Sequence, residues 1–428
     1  MFIRFLFIAA LSIQSLAFAS AKFYVGSKSA EAKLEFTGSV KTESMSDPDE
    51  AALRAIIELQ LKHMIAPMSR GGPSAAPKGD HQISDIEIIS RENSLLTIGY
   101  KYKGTIVIEN GPALTLPVTL PINPSKIYLA SMVKKYNPCT NDTYQSEKDF
   151  WYFWNPGRSG CKIKKGIDYN IINAKLTRIT NSKLTYPEYQ NLPDQNGNIN
   201  VHIFFGMDNP SNTRRVNSSD DYSALNYKSF KNHLIKNGYT ATNWTDKEIS
   251  AIAKTLDGEI PYVQTFKKNK MIYRLFFGAT GINQDALAFH WFYKDALENA
   301  SVVMYAGHSG FGRNLVLDSI EKNLGETISL SKKYQIYFFN GCNSYSYYNH
   351  EYFQRKVSDL DSTGTKALDI LTNGLDTGAD SIPAANIAIA RALESKELVS
   401  YQSLARLIDS GNMFGVNGDE DNTLSLQK

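Results

Sequence analysis

Val302-Val303-Met304-Tyr305-Ala306-Gly307-His308-Ser309-Gly310 and Ile336-Tyr337-Phe338-Phe339-Asn340-Gly341-Cys342 are the two stretches on which the fold turns. Each is a short apolar run without polar alternation, closed by a glycine. Such a run suits a strand buried on both faces. Two more runs precede them, 201–205 ending at Gly206 and 271–277 ending at Gly278, and 367–371 follows as a fifth. Helical spacing fills the gaps at 222–237, 284–297 and 315–324, and again at 383–394 and 401–409. Apolar runs alternating with helices predict parallel strands joined by right-handed crossovers. The expected fold class is therefore α/β, with a mainly parallel sheet between residues 198 and 428.

Ligands of such sheets sit beyond the carboxyl ends of the strands. Past the four runs from 201 to 339 come Gly206-Met207-Asp208, Gly278-Ala279-Thr280-Gly281, Gly307-His308-Ser309-Gly310 and Asn340-Gly341-Cys342-Asn343-Ser344. Two consecutive strands thus deliver His308 and Cys342 to one edge. Their spacing, 342 − 308 = 34 residues, leaves room for one crossover helix and one strand. A thiol nucleophile needs a neighbouring base or cation. Gly307 and Gly341 let a substrate backbone come close, and backbone N–H groups after His308 and at Cys342 are suited to an oxyanion. Asp208, Asp376 and Asp380 are placed by position to orient His308 or to hold a basic side chain.

These stretches resemble the caspase-like cysteine peptidases (clan CD), the superfamily of gingipains, legumains, clostripain and separase. Its pattern is an apolar strand ending in His-Gly, a helix, then an apolar strand ending in a small residue and the catalytic cysteine. The spacing is most similar to gingipain-type members, and the resemblance covers roughly residues 198–400. It implies a caspase-like three-layer domain and a cysteine endopeptidase acting on a peptide or protein substrate. His308 would be the general acid/base and Cys342 the nucleophile, with the N–H groups of Ser309 and Cys342 as oxyanion hole. Two positions depart from the pattern: Ser309 stands where the family has glycine, and Gly341 where most members have alanine.

Two other readings compete. Gly307-His308-Ser309-Gly310-Phe311 nearly spells a G-x-S-x-G nucleophile elbow, which would make Ser309 a serine-hydrolase nucleophile. The fifth position is Phe311, however, and the only downstream histidine is His350. A catalytically inactive binding module is the other reading, with Tyr345-Ser346-Tyr347-Tyr348-Asn349-His350 as a binding surface or as packing around the site.

The rest of the 428 residues frames this domain. Arg4, the apolar run 5–11 and the small residues at Ala17, Ala19 and Ala21 read as a cleavable signal peptide over 1–20. The run is too short to span a bilayer, which takes roughly 20 apolar residues. An exported protein, periplasmic or secreted, with no membrane span, is expected. A formal net charge of +3, spread along the chain, gives no footprint for nucleic acid. Of three cysteines, Cys139 and Cys161 flank Asp149-Phe150-Trp151-Tyr152-Phe153-Trp154 and are expected to pair, leaving Cys342 free. Residues 22–130 read as a small α+β N-terminal domain: a strand over 31–40, a helix over 51–64 capped by Asp47 with Pro48 at its first turn, and strands at 83–89, 95–102, 105–108 and 114–120. Residues 131–197 read as a disulfide-containing connection. The remaining histidines show no metal-ligand spacing, so no metal or other cofactor is expected. The acidic loop Gly418-Asp419-Glu420-Asp421-Asn422 offers oxygen ligands for calcium, with plain solvation as its simpler role.

Overall fold

Burial alternates along β1 (Ser29–Glu43), where Ala32, Leu34, Phe36 and Val40 point to one side and their neighbours away. That period of two is a sheet with one covered face. The computed structural model describes residues 28–178, 184–208, 216, 221–256, 260–282, 286–378, 381–395 and 397–419. The signal segment 1–20, Asp380 and residues 420–422 lie outside the described residues.

β1 pairs antiparallel with β4 (Leu95–Glu109) over its whole length. β2 (Ala75–Pro77) and β3 (Gln82–Glu92) also pair with β4, while β5 (Thr115–Pro121) and β6 (Tyr169–Arg178) close the other side in the order β2-β4-β1-β6-β5. The stretch read from sequence as a connection thus supplies β6. The two strands expected at 95–102 and 105–108 are one: Gly104 faces Leu34 in register, and the Tyr102 ring lies where its side chain would be. A helix, Glu50–Lys62, buries Leu53, Ile57 and Leu61 against the sheet. Its N-cap is Asp49, not Asp47. Asp49 is extended and its carboxylate accepts the Ala52 N–H, whereas Asp47 has φ 42°, outside the extended region a cap occupies.

The second sheet has eight strands in the order β14-β13-β12-β11-β7-β10-β9-β8. They are β7 (Ile199–Gly206), β8 (Thr240–Asn243), β9 (Tyr262–Lys268), β10 (Met271–Gly278), β11 (Val302–Ala306), β12 (Gln335–Asn340), β13 (Leu368–Asn373) and β14 (Phe414–Asn417). The five in the middle are parallel; β14 at one edge and the β8–β9 pair at the other are antiparallel. Helices cover both faces. Tyr222–Lys236, Ile382–Glu394 and Tyr401–Ile408 bury one core, and Leu287–Asn299 with Leu317–Leu324 and His350–Gln354 the other. All residues of β11, β12 and β13 are buried, as continuous apolar runs require. The described residues are thus mixed α/β with two sheets.

In chain order the parallel strands run 2-1-3-4-5 across the sheet. Crossovers after β7 and β11 leave in opposite directions, which opens a crevice at the carboxyl ends of those two neighbours. The first sheet docks beside this edge. The helix Ser344–Tyr347, just after Cys342, donates the buried Tyr345 hydroxyl to Glu31 Oε1 (2.6 Å) and the Ser346 hydroxyl to the Pro77 carbonyl (2.6 Å).

Candidate active site

Register sets the site. Phe205 of β7 lies opposite Ala306 of β11, Ala306 opposite Asn340 of β12, and Phe339 opposite Thr372 of β13. Asp208, His308, Cys342 and Asp376 each follow two or three residues beyond the ends of these strands, so four adjacent strands deliver them as one row. The two central loops touch. A Cβ on Gly341 would lie 2.7 Å from the Gly307 carbonyl oxygen and 2.8 Å from Ser309 Oγ. Glycine is required there because a neighbouring backbone fills the space.

His308 is largely exposed, and its Nε2 lies 3.1 Å from Asp208 Oδ1. The carboxylate raises the imidazole's pKa above its ordinary value, against a smaller opposing effect of burial. Asp208 is lowered in return, chiefly by the His308 hydrogen bond and further by the N–H groups of Tyr222 and Ser223. Those amides open the helix Tyr222–Lys236, whose N-cap Asp221 accepts the Ala224 N–H (2.9 Å) and, through its other oxygen, the Asp208 N–H (3.1 Å). Asp208 therefore rests at a helix N-terminus, which favours its charge. The His308 carbonyl accepts from the Tyr305 hydroxyl and from Asn314 Nδ2, each at 2.7 Å, which fixes the loop.

Cys342 is half-buried and is the free cysteine; Cys139 and Cys161 are bonded to each other. The Cys342 Sγ accepts the Thr377 N–H at 3.4 Å and lies 3.7 Å from the Thr377 hydroxyl. Burial pushes the thiol's pKa up, Asp376 adds to the rise, and the Thr377 contacts oppose it. The surroundings thus favour the neutral thiol over the thiolate. His308 directs Nε2 at Asp208, and no His308–Cys342 hydrogen bond joins the two loops. Among the described residues, neither the Ser309 N–H nor the Cys342 N–H is taken by a backbone carbonyl; the Cys342 N–H is directed at its own sulfur. Ser309 is buried, and its hydroxyl donates to the Cys342 carbonyl at 2.6 Å.

Next to the dyad the backbone turns left-handed at Gly310, Phe311, Gly312 and Asn343. Phe311, at φ 58°, is an uncommon residue for that region. It is clamped by the edges of Tyr144, Trp151 and Tyr152, which belong to the disulfide segment. Tyr152 also spans 191 residues of sequence to put its hydroxyl 2.9 Å from Asn343 Oδ1, and 3.1 Å from Asp376 Oδ1. Thr377, Tyr152, Tyr144 and Asn343 escaped the sequence reading as site residues. Only the Trp/Tyr/Phe density of 149–154 pointed towards them.

Asp380 and most of the acidic loop 418–422 are outside the described residues. Asp419 is buried and accepts the Thr185 hydroxyl. No cluster of three or more metal-ligating side chains occurs among the described residues, and among them no helix is long and apolar enough to cross a membrane. No family model matches the chain, and neither a curated protein nor a solved structure is significantly similar to it.

Proposed function

We propose that this protein is an exported cysteine endopeptidase of caspase-like architecture, with Cys342 as nucleophile, His308 as acid/base and Asp208 as the group that orients and charges the imidazole. The observation that carries the reading is the row Asp208–His308–Cys342 past β7, β11 and β12, at the crevice where parallel α/β sheets bind ligands. The strand order, the helices on both faces and the fully buried His and Cys strands support the caspase-like assignment. The Cys139–Cys161 bridge supports export, since disulfides persist in oxidising compartments.

With Asp208 holding Nε2–H, the exchangeable proton of His308 is on Nδ1. Cys342 Sγ bonds to the scissile carbonyl carbon, and the carbonyl oxygen takes up negative charge facing the N–H groups of Ser309 and Cys342. The imidazolium first gives its Nδ1 proton to the scissile nitrogen; the freed Nδ1 takes the thiol's proton as Sγ bonds to carbon, and the C–N bond then breaks to release the neutral amine. Water then attacks the thioester, passes a proton to the sulfur through His308, and leaves a carboxylic acid and the free thiol. A resting thiol is compatible with this order, because apo geometry tightens only when substrate arrives.

The departures at 309 and 341 compensate each other. The Ser309 hydroxyl, together with the Gly307 carbonyl, occupies the volume an alanine side chain at 341 would need, so the side-chain bulk absent from 341 stands at 309. Against the serine-hydrolase alternative stands the same hydroxyl, buried and donated to a carbonyl. The inactive-module alternative draws on the neutral thiol beside Asp376. The test is covalent trapping: a library of peptidyl chloromethyl ketones is incubated with the non-reduced protein and the adduct mapped by mass. Adducts on Cys342 that depend on the peptide and fall with His308→Ala are expected. Reaction that ignores both the peptide and His308 would overturn the peptidase reading in favour of the inactive module.

A further inference from the structure

A groove of about 500 Å³ runs along the seam between the two sheets, beginning beside the dyad. One wall is the helix Glu50–Lys62 with Pro77, Lys78 and Gly79; the other is Trp151, Phe311, Ser346 and Tyr347. Phe311 is three residues past His308, and Tyr347 five past Cys342, so the groove is lined by the loops that carry the proposed site, although His308 and Cys342 themselves do not line it. Its volume lies within the ~300–1,000 Å³ usual for ligand clefts.

Charge in the groove is unbalanced. Glu58 is occupied by His81 at 3.0 Å, and Lys78 lies 4.0 Å from Glu31. Within the groove the Lys62 amine stands 4.2 Å above the Trp151 ring; next to it, outside the lining, the Arg313 guanidinium lies 5.8 Å from the Phe311 ring, with its Nε donating to the Gly310 carbonyl. The two rings are themselves in edge contact at 5.9 Å. Neither cation has an acidic partner among the described residues. Burial lowers the Lys62 pKa, and the nearby Arg313 adds a smaller push in the same direction. A further polar group waits in the same wall: the Tyr347 hydroxyl is buried and has no hydrogen-bond partner among the described residues. Buried hydroxyls are ordinarily satisfied, so an unpaired one beside a cleft marks a place for a ligand's polar atom.

We propose that this groove is a substrate subsite for an extended peptide segment carrying an acidic residue next to an aromatic or large aliphatic one. The carboxylate would pair with Lys62 and Arg313, the apolar side chain would lie on Trp151 and Phe311, and a backbone group would meet the Tyr347 hydroxyl. The N-terminal sheet is thereby part of the recognition surface. The identity of the segment as substrate rests on the peptidase reading; its binding does not.

The experiment uses the full chain as Cys342→Ala, which cannot turn over peptide, on an immobilised positional-scanning decapeptide library. Neighbouring acidic and aromatic positions should be enriched at least tenfold over their basic counterparts. Lys62→Glu should abolish or invert that preference while thermal unfolding stays cooperative, and Lys62→Gln should weaken it. A flat profile, a basic preference, or an acidic preference indifferent to Lys62→Glu would overturn the proposal. Peptide binding without any Cys342 trapping in the wild type would sink the peptidase reading and leave the subsite standing. Trapping without the acidic–aromatic preference would do the reverse.

Discussion

The loops after β11 and β12 leave neighbouring strands at the same level, yet they hold their reactive groups in opposite states. The first presents His308 to solvent, paired with Asp208 and biased towards the imidazolium. The second draws Cys342 inward against Thr377, with burial and Asp376 biasing it towards the neutral thiol. An ion pair would require the reverse bias on the sulfur. On the proposed peptidase reading, the site would store its transferable proton on the exposed half and its nucleophile on the protected half, and the two would act together only when a substrate bridges them. Small nonspecific electrophiles should find this thiol slow, which separates it from cysteines activated at rest.

Breaking either half should have unequal effects. Cys342→Ala removes the bond-forming atom and should lower peptide hydrolysis by about 10⁴-fold or more, to background in a fluorogenic assay. His308→Ala removes acid/base transfer only, with an expected loss of about 10²–10⁴-fold, and trapping by peptidyl chloromethyl ketones should slow in parallel. Asp208→Asn should be milder, roughly 10–100-fold, and should sharpen the comparison through pH. Asp208 raises the His308 pKa, so without it the proton donor is lost at lower pH and the alkaline limb of the kcat profile moves to lower pH. The same sign governs stability. The raised His308 contributes below its unfolded pKa and loses that contribution as pH rises through the folded value. The lowered Asp208 contributes above its unfolded pKa and loses it as pH falls through the folded value. The pair supports the fold only between those limits, and its exposure keeps that support within about 1 kcal/mol.

Gly341→Ala tests the contact between the loops. Overpacking there should cost about 1–3 kcal/mol in denaturant unfolding, and adding Ser309→Gly should recover part of it, since the Gly307 carbonyl still stands in the way. Tyr152→Phe should have the smallest effect, about 1 kcal/mol, read as a lower thermal midpoint with the mapped Cys342 adduct unchanged.

Much of this site was legible along the chain because its parts are local. Apolar runs with a glycine stop are strands buried on both faces, and parallel strands put their following residues on one edge, so His308, Cys342 and Asp208 could be named from spacing. The antiparallel edges were not legible. β8, with all four residues exposed, is Thr-Ala-Thr-Asn and carries no apolar signal, and β14 has only four residues. Nor was the place of 131–197. Its β6 completes a sheet whose other strands lie far earlier, and Tyr152 meets partners 191 and 224 residues away, a pairing that no local pattern encodes. The Asp47 cap failed for a local reason: two Asp residues flank Pro48, and backbone geometry alone chooses between them.

The bridge Cys139–Cys161 has a practical consequence at the bench. It closes the segment whose Tyr152 braces Asn343 and Asp376, and whose Trp151 and Tyr144 clamp Phe311. Reducing agents are the habitual additive for thiol enzymes. Here the same reagent that protects the nucleophile from oxidation would cut the strap that shapes its surroundings, so reaction velocity should peak at a modest reductant dose and decline beyond it.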